Sequence, residues 1–126
     1  MNATFDSFPW HDAQLKQILV DRRKPGERDV VQVLVAWPEG GESEIVFHDC
    51  YAMTANMNFG VIADESIAYA SLLADDEGLL SVRERWRLLG VSLEELSCYH
   101  FELSSTGSEI RVYAQSFKVK PSKEAR

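Results

Sequence analysis

The chain has 126 residues, of which 45% are hydrophobic and 26% are charged. This is the composition of an ordinary globular protein, and it excludes a disordered or fibrous chain. Lys and Arg total 13 against 20 Asp and Glu, so the net charge of −7 disfavours a partner that is nucleic acid or an anionic membrane. The length predicts one domain over residues 1–120, followed by a polar tail over residues 121–126.

The sequence also bears on the cellular compartment. It lacks an apolar run long enough to cross a bilayer, and its first residues lack the basic and apolar parts of a signal peptide. Two cysteines, Cys50 and Cys98, are too few for a disulfide scaffold. We therefore expect a cytoplasmic protein with reduced thiols and no membrane partner.

Alternating apolar residues predict extended segments in the first half of the chain, over residues 15–21, 29–37, 44–49 and 51–59. The first two are separated by the sequence Lys24 to Glu27. Pro25 fixes φ and Gly26 accepts a positive φ, so this sequence predicts a type II turn. Four extended segments joined by short loops favour an antiparallel meander.

Helical patterns follow in the second half. Over residues 64–74 the spacing of Ile67 and Ala70 fits a helix capped by Asp64, although Ile67 and Tyr69 also alternate as in a strand, which leaves both assignments open. A second helix is predicted over residues 81–89. Ser81 and Glu84 would form its capping box, and Gly90 stands at its C-cap.

Two more strands are predicted near the C-terminus, over residues 98–103 and 109–119, joined by a Gly-containing loop. The predicted fold class is therefore α+β. It is an antiparallel β-meander of about six strands, with one or two helices inserted before a C-terminal β-hairpin.

Charge is distributed unevenly along the chain. Residues 29–82 contain ten acids and no Lys or Arg. Such a stretch suits recognition of a basic partner, although acids in turns can also simply keep a small domain soluble beside basic strands. The acids placed in predicted turns or at a predicted helix start are our candidates for partner binding: Glu39, Glu42, Asp64, Asp75, Asp76 and Glu77.

The three histidines and two cysteines are the residues best suited to metal binding or nucleophilic catalysis. They lie in three short clusters: His11-Asp12, His48-Asp49-Cys50 and Cys98-Tyr99-His100. Zinc takes such ligands, and a small metal-binding protein or enzyme built on them is an alternative hypothesis. Their spacing matches no Cys-x-x-Cys, His-Glu-x-x-His or Gly-x-Ser-x-Gly motif. We therefore assign no catalytic residue, metal ligand or cofactor, and whether the five residues converge in space stays open.

Several features together resemble small bacterial immunity-type proteins of polymorphic or contact-delivered toxin systems. They are the opening Phe8 to Ala13 (FPWHDA), the acidic meander, Met57 to Gly60 (MNFG) before the helical part, and the terminal hairpin. The resemblance spans nearly the whole chain. It implies a non-catalytic protein that binds and neutralises a cognate toxin, and the acidic stretch suits a basic toxin. A third hypothesis is a homodimer or larger oligomer, formed by pairing exposed edges of residues 98–103 or 109–119.

Overall fold

Six antiparallel strands form a closed barrel in the computed structural model, which describes residues 4–122. A 3-10 helix, Phe5–Ser7, precedes them, and α1 (Glu77–Arg87) lies between the fourth and fifth strands in the chain. The predicted class, α+β with antiparallel strands, is confirmed. The strands are β1 (Gln14–Lys24), β2 (Arg28–Ala36), β3 (Glu42–Asn56), β4 (Glu65–Leu73), β5 (Ser97–Leu103) and β6 (Glu109–Pro121), arranged around the barrel as β1-β2-β3-β6-β5-β4.

The connection between β1 and β2 is the predicted turn. Gly26 has a φ of 84°, and the Glu27 N–H donates to the Lys24 carbonyl at 3.0 Å. At the other end of the chain β6 reaches Pro121, and Ser122 is buried. The remainder of the predicted tail, residues 123–126, lies outside the described residues.

The two strands predicted over residues 44–49 and 51–59 are in fact one strand, β3. Cys50 pairs with Ala114 of β6 and Ala52 pairs with the adjacent Tyr113, so Tyr51 is an extra residue that forms a β-bulge. Asp49, two residues before Tyr51, has a φ of 54°. A bulge interrupts the alternation of side chains without ending the strand, which is why the sequence pattern broke here.

Of the two assignments left open for residues 64–74, the helix is wrong and the strand is correct, because β4 spans Glu65–Leu73. Ile67 pairs with Leu103 of β5 and Tyr69 pairs with Glu102, so Ala68 is the extra residue of a second bulge. The bulge places two buried residues, Ile67 and Ala70, three positions apart. That spacing imitates one turn of a helix.

Helix α1 begins earlier than the sequence predicted. Its N-cap is Asp76, whose carboxylate accepts the Leu79 N–H at 3.1 Å, and Ser81 lies in the second turn rather than at a capping box. Gly90, with a φ of 84°, follows the helix as expected. Arg83 donates to three carbonyls of the segment between α1 and β5, those of Leu93, Glu94 and Leu96. These hydrogen bonds hold that segment against the helix.

The pairing of β5 and β6 rules out the predicted exposed edges. β5 lies between β4 and β6, and β6 lies between β3 and β5. The incompletely paired strand is β1, which meets β4 only at Gln14 and Leu15. From Lys16 to Lys24, the described strands pair with β1 on one side only.

Apolar packing occurs on both faces of the barrel wall. Inside, Phe5 of the 3-10 helix places its ring 4.8–5.7 Å from the rings of Trp10, Tyr99, Phe101 and Phe117. Outside, α1 buries a separate apolar cluster against β5 and β6, consisting of Leu79, Val82, Leu93, Leu96, Cys98 and Tyr113. Within residues 4–122, no helix combines the length and the apolar character needed to cross a membrane.

Candidate functional site

A group of exposed apolar side chains lies on the loop between β3 and β4, residues 57–64, which we call the 57–64 loop. Ile62 is fully exposed, Phe59 is 83% exposed and Val61 is 52% exposed. Exposed apolar side chains are ordinary when isolated, but three of them within four residues form a patch. Such a patch is typical of a surface that another protein covers.

Hydrogen bonds to the β5–β6 connection hold both ends of this loop. At its start, the Asn58 N–H donates to Ser108 Oγ at 2.8 Å, and the Asn58 amide donates to the Thr106 carbonyl at 3.1 Å. At its end, Ser105 Oγ donates to the Asp64 carbonyl at 2.6 Å. The base of the loop is therefore fixed while its apolar tip faces solvent.

An open pocket of about 400 Å³ lies between β1 and the 57–64 loop. It borders the gap in the barrel wall where β1 and β4 separate after their two paired residues. Its apolar lining comes from both sides of that gap: Leu15 and Ile18 from β1, and Met57, Phe59 and Val61 from the loop.

The six acids predicted to bind a partner lie in three separate places. Glu39 and Glu42 are at the β2–β3 turn, and Asp64 ends the 57–64 loop. Asp75, Asp76 and Glu77 are at the start of α1. Of these, Glu39, Asp64, Asp75 and Glu77 are exposed, and Glu42 is half-buried.

Basic residues from the flanking sequence fold beside several acids of the acidic stretch. Lys16 Nζ lies 3.3 Å from Asp64 Oδ1, and Arg22 Nε lies 2.7 Å from Asp29 Oδ1. Arg111 Nε lies 3.1 Å from Asp76 Oδ1. The net charge of the stretch therefore overstates the negative charge of the surface that it forms.

Asp76 differs from the other five acids because its side chain is only 10% exposed. Burial raises the pKa of its carboxyl, but hydrogen bonds from the Tyr113 hydroxyl, the Leu79 N–H and Arg111 outweigh that effect and hold the pKa below 3.8. Its oxygens are thus engaged within the protein.

The three histidines and two cysteines do not converge. His11 is exposed, Cys50 lies at the barrel interior, and Cys98 is buried beneath α1. Burial raises the pKa of Cys50 to about 11 and that of Cys98 to about 12, so both remain thiols near neutral pH. Within the described residues, one group of three side chains is close enough to share an ion, and it joins His100 to Glu102 and Glu109.

Two sets of residues were missed from the sequence. Phe59 was assigned to a strand face because it continues the alternation of residues 51–59, although Gly60 directly after it signals a loop. Glu102 and Glu109 were missed because they lie on different strands. The sequence did contain one signal of this group, because His100 and Glu102 lie two residues apart on a predicted strand and so share a face.

Comparison of the chain with protein-family models, with curated proteins and with solved structures found no match.

Proposed function

We propose that this is a non-catalytic binding protein whose 57–64 loop contacts a protein partner. The observation that carries the proposal is the exposure of Phe59, Val61 and Ile62 on a loop held at both ends. A fixed base reduces the conformational entropy lost on binding, and large apolar side chains provide the anchors on which interface affinity depends.

The partner that we propose is a basic bacterial toxin, neutralised by stoichiometric binding in the cytoplasm. The resemblance to immunity-type proteins supports this class of partner, and the net charge of −7 suits a basic protein. Asp64 adjoins the apolar tip, while Glu39, Glu42, Asp75 and Glu77 would act at longer range by accelerating encounter. Asp76 contributes to this field although its carboxylate is held internally.

The protonated state of both thiols supports a role without nucleophilic catalysis. A thiolate is the reactive form of cysteine, and burial disfavours it at Cys50 and Cys98. Both should therefore react slowly with iodoacetamide at neutral pH in the folded protein.

Affinity capture with matched variants tests the proposal. Wild-type protein, Phe59→Ser/Ile62→Ser and the control Leu88→Ser/Leu89→Ser are immobilised and exposed to lysate of the source cells at low salt. The control removes two apolar side chains that are 71% and 72% exposed outside the loop. We expect one basic protein to bind wild type and control, and to bind the loop variant about tenfold or more weakly.

Co-expression then decides whether binding neutralises a toxin. The captured protein should arrest growth when expressed alone, and wild type should restore growth where the loop variant does not. Equal capture by all three immobilised proteins would refute the assignment of the 57–64 loop. A captured protein without toxicity would refute the proposed class of partner.

A second candidate function, a homo-oligomeric module, is favoured by the one-sided pairing of β1 from Lys16 onwards. Unpaired backbone groups along a strand can bind a second copy of the same strand. Leu19 and Val20, 47% and 54% exposed, would then be covered in the oligomer.

A further inference from the structure

Three potential metal ligands meet on the outer face of the barrel, on β5 and β6. His100 and Glu102 are two residues apart on β5, so their side chains share a face, and Glu109 pairs with Glu102 from β6. His100 Nε2 lies 3.6 Å from Glu102 Oε1 and 3.4 Å from Glu109 Oε2. The coordinating atoms of all three side chains lie within 4.8 Å of one another.

This arrangement is unfavourable without a cation. Two carboxylates that face each other across paired strands repel. His100 is 4% exposed, and its Nε2 atom is buried with no hydrogen-bond partner among the described residues. The carboxylates of Glu102 and Glu109 lie 3.6 and 3.4 Å away, and neither forms a hydrogen bond with this atom.

The surrounding charges do not balance the two carboxylates. Arg111 contacts Glu109 Oε1 and also lies 3.1 Å from Asp76 Oδ1. Glu102, Glu109 and Asp76 thus carry three formal negative charges against the single positive charge of Arg111, and a divalent cation would neutralise the difference. Arg111 engages Oε1 of Glu109, so Oε2 stays directed towards His100.

We propose that His100, Glu102 and Glu109 form a binding site for a divalent transition metal ion, of which Zn²⁺ is the best fit. Zinc bonds of about 2.0–2.2 Å in a tetrahedral site place neighbouring ligand atoms about 3.3–3.6 Å apart. Both distances measured from His100 Nε2 match that range. The three side chains leave a fourth position for water. The site uses none of the side chains proposed to contact the partner.

Titration of the full-length chain with zinc chloride tests this site. Protein stripped with a chelator and then dialysed is examined by calorimetry and by thermal unfolding. We expect one equivalent of Zn²⁺ to bind and to raise the melting temperature. Co²⁺ in place of Zn²⁺ should give the visible absorption bands of a tetrahedral centre.

Two variants separate this site from surface binding elsewhere. Glu102→Gln/Glu109→Gln keeps the side-chain shapes but should weaken Zn²⁺ binding by at least roughly tenfold. Without metal, this variant should melt no lower than wild type, because it lacks the repulsion between carboxylates. His11→Ala removes an exposed histidine whose Nε2 is 3.7 Å from Asp12, and it should bind Zn²⁺ like wild type.

Three results would overturn the proposal. They are a melting temperature that does not respond to Zn²⁺, equal affinity in wild type and the Glu102→Gln/Glu109→Gln variant, and loss of binding in His11→Ala.

Discussion

At the scale of single residues, Asp76 connects helix and barrel. One carboxylate oxygen accepts the Leu79 N–H at the start of α1 and the Tyr113 hydroxyl of β6, the latter at 2.8 Å. The other oxygen accepts from Arg111 Nε. Its neighbour Asp75 is exposed, so the two adjacent acids have different roles.

Replacing Asp76 by Asn should destabilise the protein by about 2 kcal/mol, because the cap weakens and Arg111 loses a charged partner. Denaturation by urea at pH 7 measures the free energy of unfolding, with Asp75→Asn as the matched control. The control should change it by less than about 0.5 kcal/mol. Equal losses in both variants would contradict the internal role of Asp76.

Wild type and the Asp76→Asn variant should also differ in how their stability depends on pH. The pKa of Asp76 is lowered in the folded state, so the contribution of its charge to stability is complete above the unfolded value near 3.8. This contribution is lost as the pH falls from about 3.8 towards the pKa of Asp76 in the folded protein. The stability difference between wild type and Asp76→Asn should therefore be constant from pH 7 to about pH 5 and shrink below about pH 4. A difference independent of pH would show that the charge is not its source.

At the scale of elements, the first turn of α1 leaves no room for a side chain at Gly78. A Cβ atom there would overlap the Tyr113 hydroxyl and lie 2.9 Å from Asp76 Oδ2. Gly78→Ala should destabilise the protein by about 1–3 kcal/mol, although Ala is the better helix former.

Ser81→Ala in the same helix is the comparison for Gly78→Ala. Ser81 is exposed and does not cap α1, so this change should be neutral or slightly stabilising in thermal unfolding. If Ser81→Ala were the more damaging substitution, the capping box predicted from the sequence would be correct and the start of α1 described here would be wrong.

Much of the strand pattern could be read from the sequence, and its errors have one physical cause. Alternation of apolar residues along a segment indicates which side chains of a strand are buried. A β-bulge adds one residue to the strand, and the position of that residue is defined only by the pairing with the neighbouring strand. Tyr51 divided β3 into two predicted strands, and Ala68 gave β4 a helical spacing. The two errors offset each other in the count of strands, so agreement on about six strands does not mean that the same six were predicted.

The candidate sites were harder to predict because they depend on contacts between distant residues. Phe59 is exposed because β3 ends at Asn56 and the following residues bond to Ser108, fifty positions away. Glu102 and Glu109 become neighbours only through the register of β5 and β6. The acidic stretch could be recognised from the sequence, but the Lys and Arg side chains that lie beside several of its acids in the fold could not.

At the scale of the whole molecule, the exposed side of β1 raises the question of self-association. The strand has a bulge near each end, and it carries the charged side chains of Lys16, Arg22, Arg23 and Lys24. Natural sheets protect free edges by both means. The protein should therefore be a monomer by light scattering at micromolar concentration, and Val20→Lys should leave its mass unchanged. A dimer that Val20→Lys dissociates would instead favour the homo-oligomeric module.

The position of β6 has a consequence for biosynthesis. β6 is the last of the six barrel strands to leave the ribosome, yet it lies between β3 and β5 and supplies Phe117 beside Phe5. Until residues 109–121 have emerged, both neighbouring strands keep an open edge and the aromatic interior is incomplete. The barrel therefore cannot close during synthesis of its first five strands, and a nascent chain stalled there exposes the surfaces that chaperones bind.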